Sequence, residues 1–463
     1  MLTWVTEYPV SVALFLVVLF CLLQSLLLKK DFFSPPTVYC FSQCITLGIA
    51  YFQVDKTMTD FKPLTWMIWI GALAAFSTGS FLARLIAKQK GLPVRVSEPS
   101  TEFTMNYRWG WHVALSFIPF ALFLVGVYGI IQHAGNLLLL TGNPAKYMTK
   151  DTDFGWYPIF FTSAPLSVLL FGAASFKKFN PWLKLRILSR VMVVVSICLN
   201  LVAYPNRGTL FFSLGILVIL YNYLHKRVSA GWIIICLALA AGAFVGISSL
   251  RNQYSGSSVE NMAASAVLEL PYKYVANNYW NLDYAVNPPV DREYHPHTYG
   301  IDFFHGIFEF LGPGPSFRRS FHWDGLFNEH IEKIHGFNTA SYLWEVYKDL
   351  YMPGVFILPF LVGLALSTLH LKLCRSFTPR QVIFYAFFIY FIGWWFFTPG
   401  YKQGIYWFWA YIIFFITTVS MKGSTKKVAP TAQPSEQSLD RQPALPADAP
   451  VLDKVEGQLQ AEQ

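Results

Sequence analysis

The stretch WHVALSFIPFALFLVGVYGIIQH (111–133) is apolar along its length and contains no Asp, Glu, Lys or Arg. About 20 apolar residues, each rising 1.5 Å, cross the hydrocarbon core of a bilayer as an α-helix. The stretch therefore predicts a transmembrane helix. Hydrophobic types make up 54% of the 463 residues and charged types 13%, whereas soluble proteins average about 25% charged residues.

Similar apolar runs occur along most of the chain. They cover residues 10–28, 37–53, 64–87, 157–175, 185–203, 209–224, 230–249, 353–371, 381–398 and 404–420. Together with 111–133 they predict an all-α polytopic membrane protein with about 11 transmembrane helices.

The basic residues of the short loops predict the orientation. Alternate loops on one side of the membrane carry 20 Lys and Arg residues, and the short loops on the other side carry 6. Because cytoplasmic loops are enriched in Lys and Arg, we expect a periplasmic N-terminus and a cytoplasmic C-terminus. Topology also accounts for the net charge of +9, so the charge does not indicate a nucleic-acid partner.

Four regions follow from this pattern. Residues 1–249 contain transmembrane helices 1–8, and residues 353–421 contain helices 9–11. Between them, residues 250–352 form a large periplasmic loop that we expect to contain short helices. Residues 422–463 are rich in Pro, Ala and Gln, which predicts a disordered cytoplasmic tail.

The large loop concentrates ionisable side chains. It holds six of the ten histidines and twelve of the 26 acidic residues. Its segment DREYHPHTYG (291–300) places Arg292 close to His295 and His297. The loop has no cysteine, and no group of ligands has convincing metal-site spacing. We therefore expect no metal and no other cofactor.

Arginines stand where helices meet the outer surface. In YPNRGTLFF (204–212), Arg207 opens a helix, whose N-terminal N–H groups favour anions. Arg251 follows the exit of the next predicted helix, and Arg318 and Arg319 follow a Gly-Pro turn. Such side chains can bind phosphate. The alternative is that Arg207 and Arg251 only snorkel to the interface, and that the adjacent pair is simply solvated.

The stretch GFNTASYLWEVYKDLYMPG (336–354) predicts a short helix before the chain re-enters the membrane at Pro353 and Gly354. Asn338 or Thr339 would cap the helix, and Tyr342 and Glu345 would share a face. We expect this helix to lie at the membrane surface, either as the wall of an active site or as an interfacial element.

The segment WWFFTPGYKQGIYWFW (394–409) predicts a short outer turn flanked by aromatic residues. Tyr401 and Lys402 face the same compartment as the large loop. Aromatic side chains are enriched at membrane interfaces, and their faces can also stack on sugars.

The order of these motifs resembles the bacterial oligosaccharide repeat-unit polymerases, the Wzy family of O-antigen and exopolysaccharide assembly. The similar features are the Asn-Arg-Gly step at 206–208, the large loop, the Gly-Pro turn at 312–315 and the Asn-Thr step at 338–339. In the family an Asp-Phe-Gly-like step follows, where this chain reads DLYMPG (349–354). The resemblance covers about residues 200–370.

The resemblance implies a GT-C-like glycosyltransferase of the bacterial cytoplasmic membrane. Such an enzyme joins undecaprenyl-pyrophosphate-linked repeat units into O-antigen, capsule or exopolysaccharide, without a metal. Its partners would be donor and acceptor lipid-linked glycans, membrane lipids, and a chain-length regulator and flippase of the same pathway. The expected catalytic residues are Glu345, Arg207 and Arg251. The expected substrate-binding residues are Arg292, His295, Arg318, Arg319, Asn338, Tyr342, Tyr401 and Lys402.

Three other functions fit part of the pattern. An O-antigen ligase would also carry a large outer loop. A lipid-linked oligosaccharide flippase or transporter would place ionisable residues inside its helices, whereas the apolar runs here are nearly free of acids. A scaffold for a synthase complex is the third alternative.

Overall fold

A computed structural model describes residues 9–27, 31–52, 60–91, 106–141, 160–229, 231–236, 238–239, 242, 246, 264–287, 299–300, 304–308, 341–397 and 400–421. These residues are helical apart from turns and short connections, and they contain no β-strand. The helices are α1 (Pro9–Leu27), α2 (Pro35–Ala50), α3 (Pro63–Gln89), α4 (Trp109–Ala134), α5 (Ser163–Ala174), α6 (Leu183–Ala203), α7 (Arg207–Leu224), α8 (Ala264–Val286), α9 (Tyr342–Arg375), α10 (Pro379–Trp394) and α11 (Gly404–Ser420).

Five of the described helices are long and apolar enough to cross a membrane. They are α3, α4 with the 3₁₀ turn that follows it to Leu140, α6, α7 and α9. Shorter apolar helices are Pro9–Leu23 within α1, α5 and α11. The prediction of an all-helical membrane protein is confirmed, whereas the count of eleven spans stays a prediction.

The tightest helix pair is α3 with α9, which run parallel to each other. Gly79 lies so close to α9 that a Cβ there would be 2.1 Å from the Phe360 carbonyl oxygen. In the same way, a Cβ at Gly363 would be 2.3 Å from the Phe76 carbonyl oxygen. Small residues let helix backbones approach this closely, which favours association in lipid.

Helix α9 is broken near its start. Leu350 and Tyr351 have non-helical backbone angles, and φ of Tyr351 is +56°. The bend is sharp, since a Cβ at Gly354 would lie 2.7 Å from the carbonyl oxygen of Val346. Residues 342–349, called here the α9 entry segment, are therefore bent sharply at the break and contact the first turn of the helical segment that follows.

The α9 entry segment points into the bundle. The Tyr342 hydroxyl is hydrogen-bonded to that of Tyr39, whose ring stacks on Phe76 with centroids 4.1 Å apart. Phe76 stands at the middle of α3. The sequence led us to expect a helix on the surface, with Asn338 or Thr339 as its cap. Instead the cap is Ser341, whose side chain accepts a hydrogen bond from the Leu343 N–H, and the helix begins inside the bundle.

Part of the predicted 250–352 loop belongs to the bundle as well. Helix α8 packs on α2, where the Tyr272 hydroxyl donates to the Ala50 carbonyl (3.0 Å) and the Tyr279 hydroxyl lies 2.6 Å from that of Thr46. The Asp283 carboxylate accepts from the Lys62 N–H (2.9 Å), at the start of α3. The prediction of a disordered tail at 422–463 falls outside the described residues.

A buried carboxylate ties together one end of the bundle, named here the Asp31 end. Asp31 precedes α2, and its side chain is 8% exposed. It accepts hydrogen bonds from the Tyr223 hydroxyl and from Asn222 Nδ2 (3.1 Å), in the last turn of α7. His370 Nε2, near the end of α9, and Arg227 Nη1 each lie 3.1 Å from a carboxylate oxygen.

The surroundings of Asp31 favour its charged form. Burial alone would raise its pKa, but the hydrogen bond from His370 and the charges of Arg227 and His370 hold the pKa at about 2. For Arg227, burial acts to lower the pKa, and the nearby Asp31 charge raises it overall. The Asp31 end is therefore locked by a fixed negative charge shared among α2, α7 and α9.

Candidate functional site at the Arg207 end

The opposite end of the bundle holds every expected site residue that the structure describes. This Arg207 end is formed by the starts of α3 and α7, by α8, by the α9 entry segment and by the turn Gly400–Lys402. Backbone hydrogen bonds join its parts: the Ser341 N–H donates to the Asn278 carbonyl (3.3 Å), and the Tyr342 N–H donates to the Trp395 carbonyl (3.1 Å).

Arg207 is the first residue of α7. Asn206 caps the helix by accepting a hydrogen bond from the Gly208 N–H (2.7 Å). The cap therefore fixes the chain where Arg207 emerges, beside the N-terminal N–H groups and the positive end of the helix dipole.

The Arg207 side chain lies on an aromatic surface. Its guanidinium carbon is 4.5 Å from the ring centroid of Tyr274, and Nη2 donates to the Tyr274 hydroxyl (2.6 Å). Tyr274 in turn stacks on Phe397, with centroids 6.3 Å apart and planes 14° apart. A cation over an aromatic face is held by the ring quadrupole, so Tyr274 orients a half-buried guanidinium at the Arg207 end.

Glu345 forms an ion pair with Lys402. Lys402 Nζ lies 2.5 Å from Glu345 Oε2, and Lys348 Nζ lies 3.6 Å from the same oxygen. The Glu345 and Lys402 side chains are 14% and 25% exposed, respectively. Because the pair is largely shielded from water, its attraction is stronger than that of a surface pair. The Lys402 carbonyl also accepts a hydrogen bond from Nδ1 of His305, in the predicted loop.

Tyr342 and Tyr401 both contact the ring of Trp395. The Tyr342 ring is 4.4 Å from that of Trp395, and the Tyr401 ring is 6.1 Å from it. Tyr342 is fully buried and Tyr401 is partly exposed. In this structure Tyr342 therefore anchors the α9 entry segment, whereas Tyr401 has surface available at the Arg207 end.

Asp349 gains a structural role that the sequence left open. Its carboxylate is buried and accepts a hydrogen bond from the Gly300 N–H (2.7 Å). Gly300 has φ +90°, a conformation that favours glycine. Asp349 thus fastens the 299–300 turn of the predicted loop to the α9 entry segment.

Several expected site residues fall outside the described residues, and their roles stay predictions. They are Arg251, Arg292, His295, Arg318, Arg319 and Asn338. The expectation of a metal-free site also stays a prediction, because the histidine-containing segment 291–298 is among those residues.

The sequence did not single out Tyr274, Lys348 or His305 individually. Lys348 stands three residues after Glu345, so helical spacing could have indicated their contact. The contacts of Tyr274 and His305 join segments far apart in the chain, for which one sequence holds no signal. Comparisons with known protein families, with curated proteins and with solved structures find no match to this chain.

Proposed function

We propose that this chain is a membrane glycosyltransferase that polymerises undecaprenyl-pyrophosphate-linked repeat units into a surface polysaccharide. The observation that carries the proposal is the presence of Arg207 and the Glu345–Lys402 pair at one end of the bundle. A guanidinium at a helix N-terminus suits a pyrophosphate leaving group. A shielded carboxylate suits an acceptor hydroxyl. In this proposal the bundle has eleven spans, a GT-C-like fold and its Arg207 end in the periplasm.

The reaction is a glycosyl transfer between two lipid-linked glycans. The acceptor hydroxyl oxygen forms a bond to the anomeric carbon of the donor, and the bond from that carbon to the pyrophosphate oxygen breaks. The pyrophosphate leaves with the bonding electron pair on its lipid carrier. Glu345 accepts the hydroxyl proton, and Arg207 stabilises the negative charge that grows on the leaving group.

Lys402 acts on this reaction through Glu345. An ammonium 2.5 Å from the carboxylate holds Glu345 in a fixed direction through a charge-assisted hydrogen bond. Lys402 is therefore a positioning residue in the proposal. Tyr401, beside it and partly exposed, offers its ring to a sugar of the acceptor.

Gel analysis of the surface polysaccharide tests the function. A strain lacking the gene should attach a single repeat unit to its lipid core, and the wild-type gene should restore long polymer. Loss of all attachment would indicate a ligase instead. Unflipped precursor inside the cell would indicate a flippase.

Variants of the ion pair test the site. Glu345→Gln should abolish polymer at normal protein level, and Lys402→Met should reduce it. The double exchange Glu345→Lys with Lys402→Glu restores an ion pair but moves the carboxylate, so it should restore stability without polymer. Polymer production by the double exchange would mean that the pair only holds the structure together.

A further inference from the structure

A second group of cations lies at the Asp31 end, outside the proposed active site. The basic collar consists of Lys177, Lys178, Lys184, Arg186 and Arg190, around the connection from α5 to α6. The sequence contains no Asp or Glu between Asp153 and Glu260, so the local chain supplies no counter-charge. Within the described part of the chain, no ion pair is formed by these five side chains.

The connection that carries the collar is firmly anchored. Phe179 and Asn180 are fully buried, and the Phe179 ring packs on Phe377, just after the end of α9 (5.6 Å). Asn180 Nδ2 donates to the Ala174 carbonyl (3.0 Å), and its Oδ1 accepts from the Trp182 N–H (3.1 Å). The exposed lysines at 177 and 178 therefore project from a fixed backbone.

Arg186 joins the helix part of the collar to the connection. Its Nη1 donates to the Asn180 carbonyl, at 3.4 Å. Its Nε is buried and has no hydrogen-bond partner among the residues that the structure describes. Among the described residues, the Arg186 guanidinium therefore has more donors than protein acceptors.

An apolar surface continues from the collar along α6. Trp182 and Leu183 are 65% and 59% exposed, and Ile187, Val191 and Val194 follow at helical spacing, also exposed. Cations beside such a stripe match the two parts of a phospholipid, its headgroup and its acyl chains. An exposed tryptophan at the junction is typical of the membrane interface.

We propose that the basic collar binds the headgroup of an anionic phospholipid, such as phosphatidylglycerol, with its acyl chains along the exposed stripe of α6. Five cations without acidic partners in the described ranges favour a headgroup with net negative charge over a zwitterionic one. The site is independent of the proposed glycosyl transfer, because its residues lie at the end of the bundle opposite Arg207.

Native mass spectrometry of the purified chain in detergent, titrated with phosphatidylglycerol, tests the proposal. The double variant Lys177→Gln/Lys178→Gln should bind the lipid about 30-fold more weakly, from about fivefold per lysine. Raising the salt should weaken wild-type binding and affect the variant less. Phosphatidylcholine should bind the wild type as weakly as phosphatidylglycerol binds the variant.

The matched control is Lys88→Gln/Lys90→Gln, which removes two exposed lysines from the end of α3. This control should retain phosphatidylglycerol binding within about threefold, as its lysines lie outside the collar. Equal losses of phosphatidylglycerol affinity in the two double variants would show that binding depends only on general surface charge, and would overturn the proposal. Equal binding of phosphatidylcholine, or displacement of the lipid by millimolar glycerol phosphate, would overturn it too.

Discussion

Arg207 combines three features at the scale of a single residue: a fixed charge, a planar donor set and a place at a helix N-terminus. Tyr274 holds the guanidinium through its ring face and its hydroxyl, at 4.5 Å and 2.6 Å. A lysine at this position would keep the charge but could not reproduce the flat stacking or the paired donors. Charge alone and planar geometry can therefore be separated by experiment.

We predict that Arg207→Ala nearly abolishes polymer, with a rate loss of about 10²- to 10³-fold, because the leaving-group charge loses its partner. Arg207→Lys should rescue only partly. Tyr274→Phe keeps the ring beneath the cation and should retain more activity than Tyr274→Ala. Polymer length and amount on gels, at matched membrane levels of protein, provide the measurement. Equal activity of the lysine and arginine forms would indicate simple snorkelling.

Asp31 shows how one buried charge can stabilise a whole end of the bundle. Its folded-state pKa of about 2 lies below the ordinary value of 3.8. A carboxyl group whose pKa is lowered on folding stabilises the folded state at pH values above its unfolded-state pKa. This stabilisation is lost as the pH falls through the folded-state pKa. The size of the shift corresponds to about 2 kcal/mol.

We therefore predict that Asp31→Asn lowers the stability of the purified protein by at least about 2 kcal/mol near neutral pH. The difference in Tm between wild type and variant should shrink as the pH falls from about 4 towards about 2. Asp60→Asn, at an exposed position, is the control and should have little effect. A difference that does not change over this pH range would exclude the titration of Asp31 as its source.

Residue-level prediction from the sequence worked where helical spacing governs the contact. Tyr342 and Glu345 were expected on one helix, and α9 contains both. The partner of Glu345 could not be predicted from the sequence, since Lys402 is 57 positions away and the pair forms only when α9 and the 400–402 turn meet. Asp31 was not singled out from the sequence, because its four partners come from two distant segments, 222–227 and the end of α9.

At the scale of the element, α9 differs from its sequence pattern in where the chain turns. Pro353 and Gly354 suggested the turn, but the break lies at Leu350 and Tyr351. Proline is compatible with the first turn of a helix, where its missing N–H would have had no intrahelical partner. Pro353 therefore starts the second segment of α9 instead of ending the first.

Helix α8, which lies within the predicted polar loop, was not identified from the sequence. Its buried side chains include Tyr272, Ala276, Tyr279, Asp283 and Val286, at the i, i+4, i+7 spacing of an amphipathic helix. The pattern could have been found, but tyrosines and an aspartate replace the usual aliphatic residues. Their hydroxyls and carboxylate bind backbone and side-chain groups of α2 and α3, which apolar periodicity does not capture.

The contact between α3 and α9 can be tested through its glycines. We predict that Gly79→Ala and Gly363→Ala each destabilise the protein by about 1–3 kcal/mol, because the added methyl groups meet backbone atoms that cannot move aside. Gly110→Ala in α4 is the control, since a Cβ there meets nothing within 4 Å. That change should be neutral or slightly stabilising, as alanine favours helix. Thermal unfolding, monitored by size-exclusion chromatography, measures the stability of all three variants. An unchanged stability of Gly363→Ala would contradict the close packing of α3 on α9.

At the scale of the whole molecule, the structure brings together basic loops that the distribution of Lys and Arg predicts to lie on one side of the membrane. Asp31 follows Lys29 and Lys30, and its partners Arg227 and His370 stand beside the basic loops at 226–227 and 372–375. All three basic segments belong to the set of 20 cations. The loops at 226–227 and 372–375 meet at the Asp31 end, which supports the alternation of loops by a route independent of counting charges.

This placement leads to a prediction about topology. Since the basic loops lie at the Asp31 end, the positive-inside rule assigns that end, and the C-terminus after α11, to the cytoplasm. The Arg207 end, where the Gly300 N–H is hydrogen-bonded to Asp349, then faces the periplasm.

Alkaline phosphatase fused after residue 300 should be active, and green fluorescent protein fused at the C-terminus should fluoresce. The reciprocal fusions should be silent, because phosphatase folds only outside the cytoplasm and the fluorescent protein only within it. The same signal from both positions would contradict the orientation and remove Arg207 and Glu345 from the compartment in which the proposed reaction takes place.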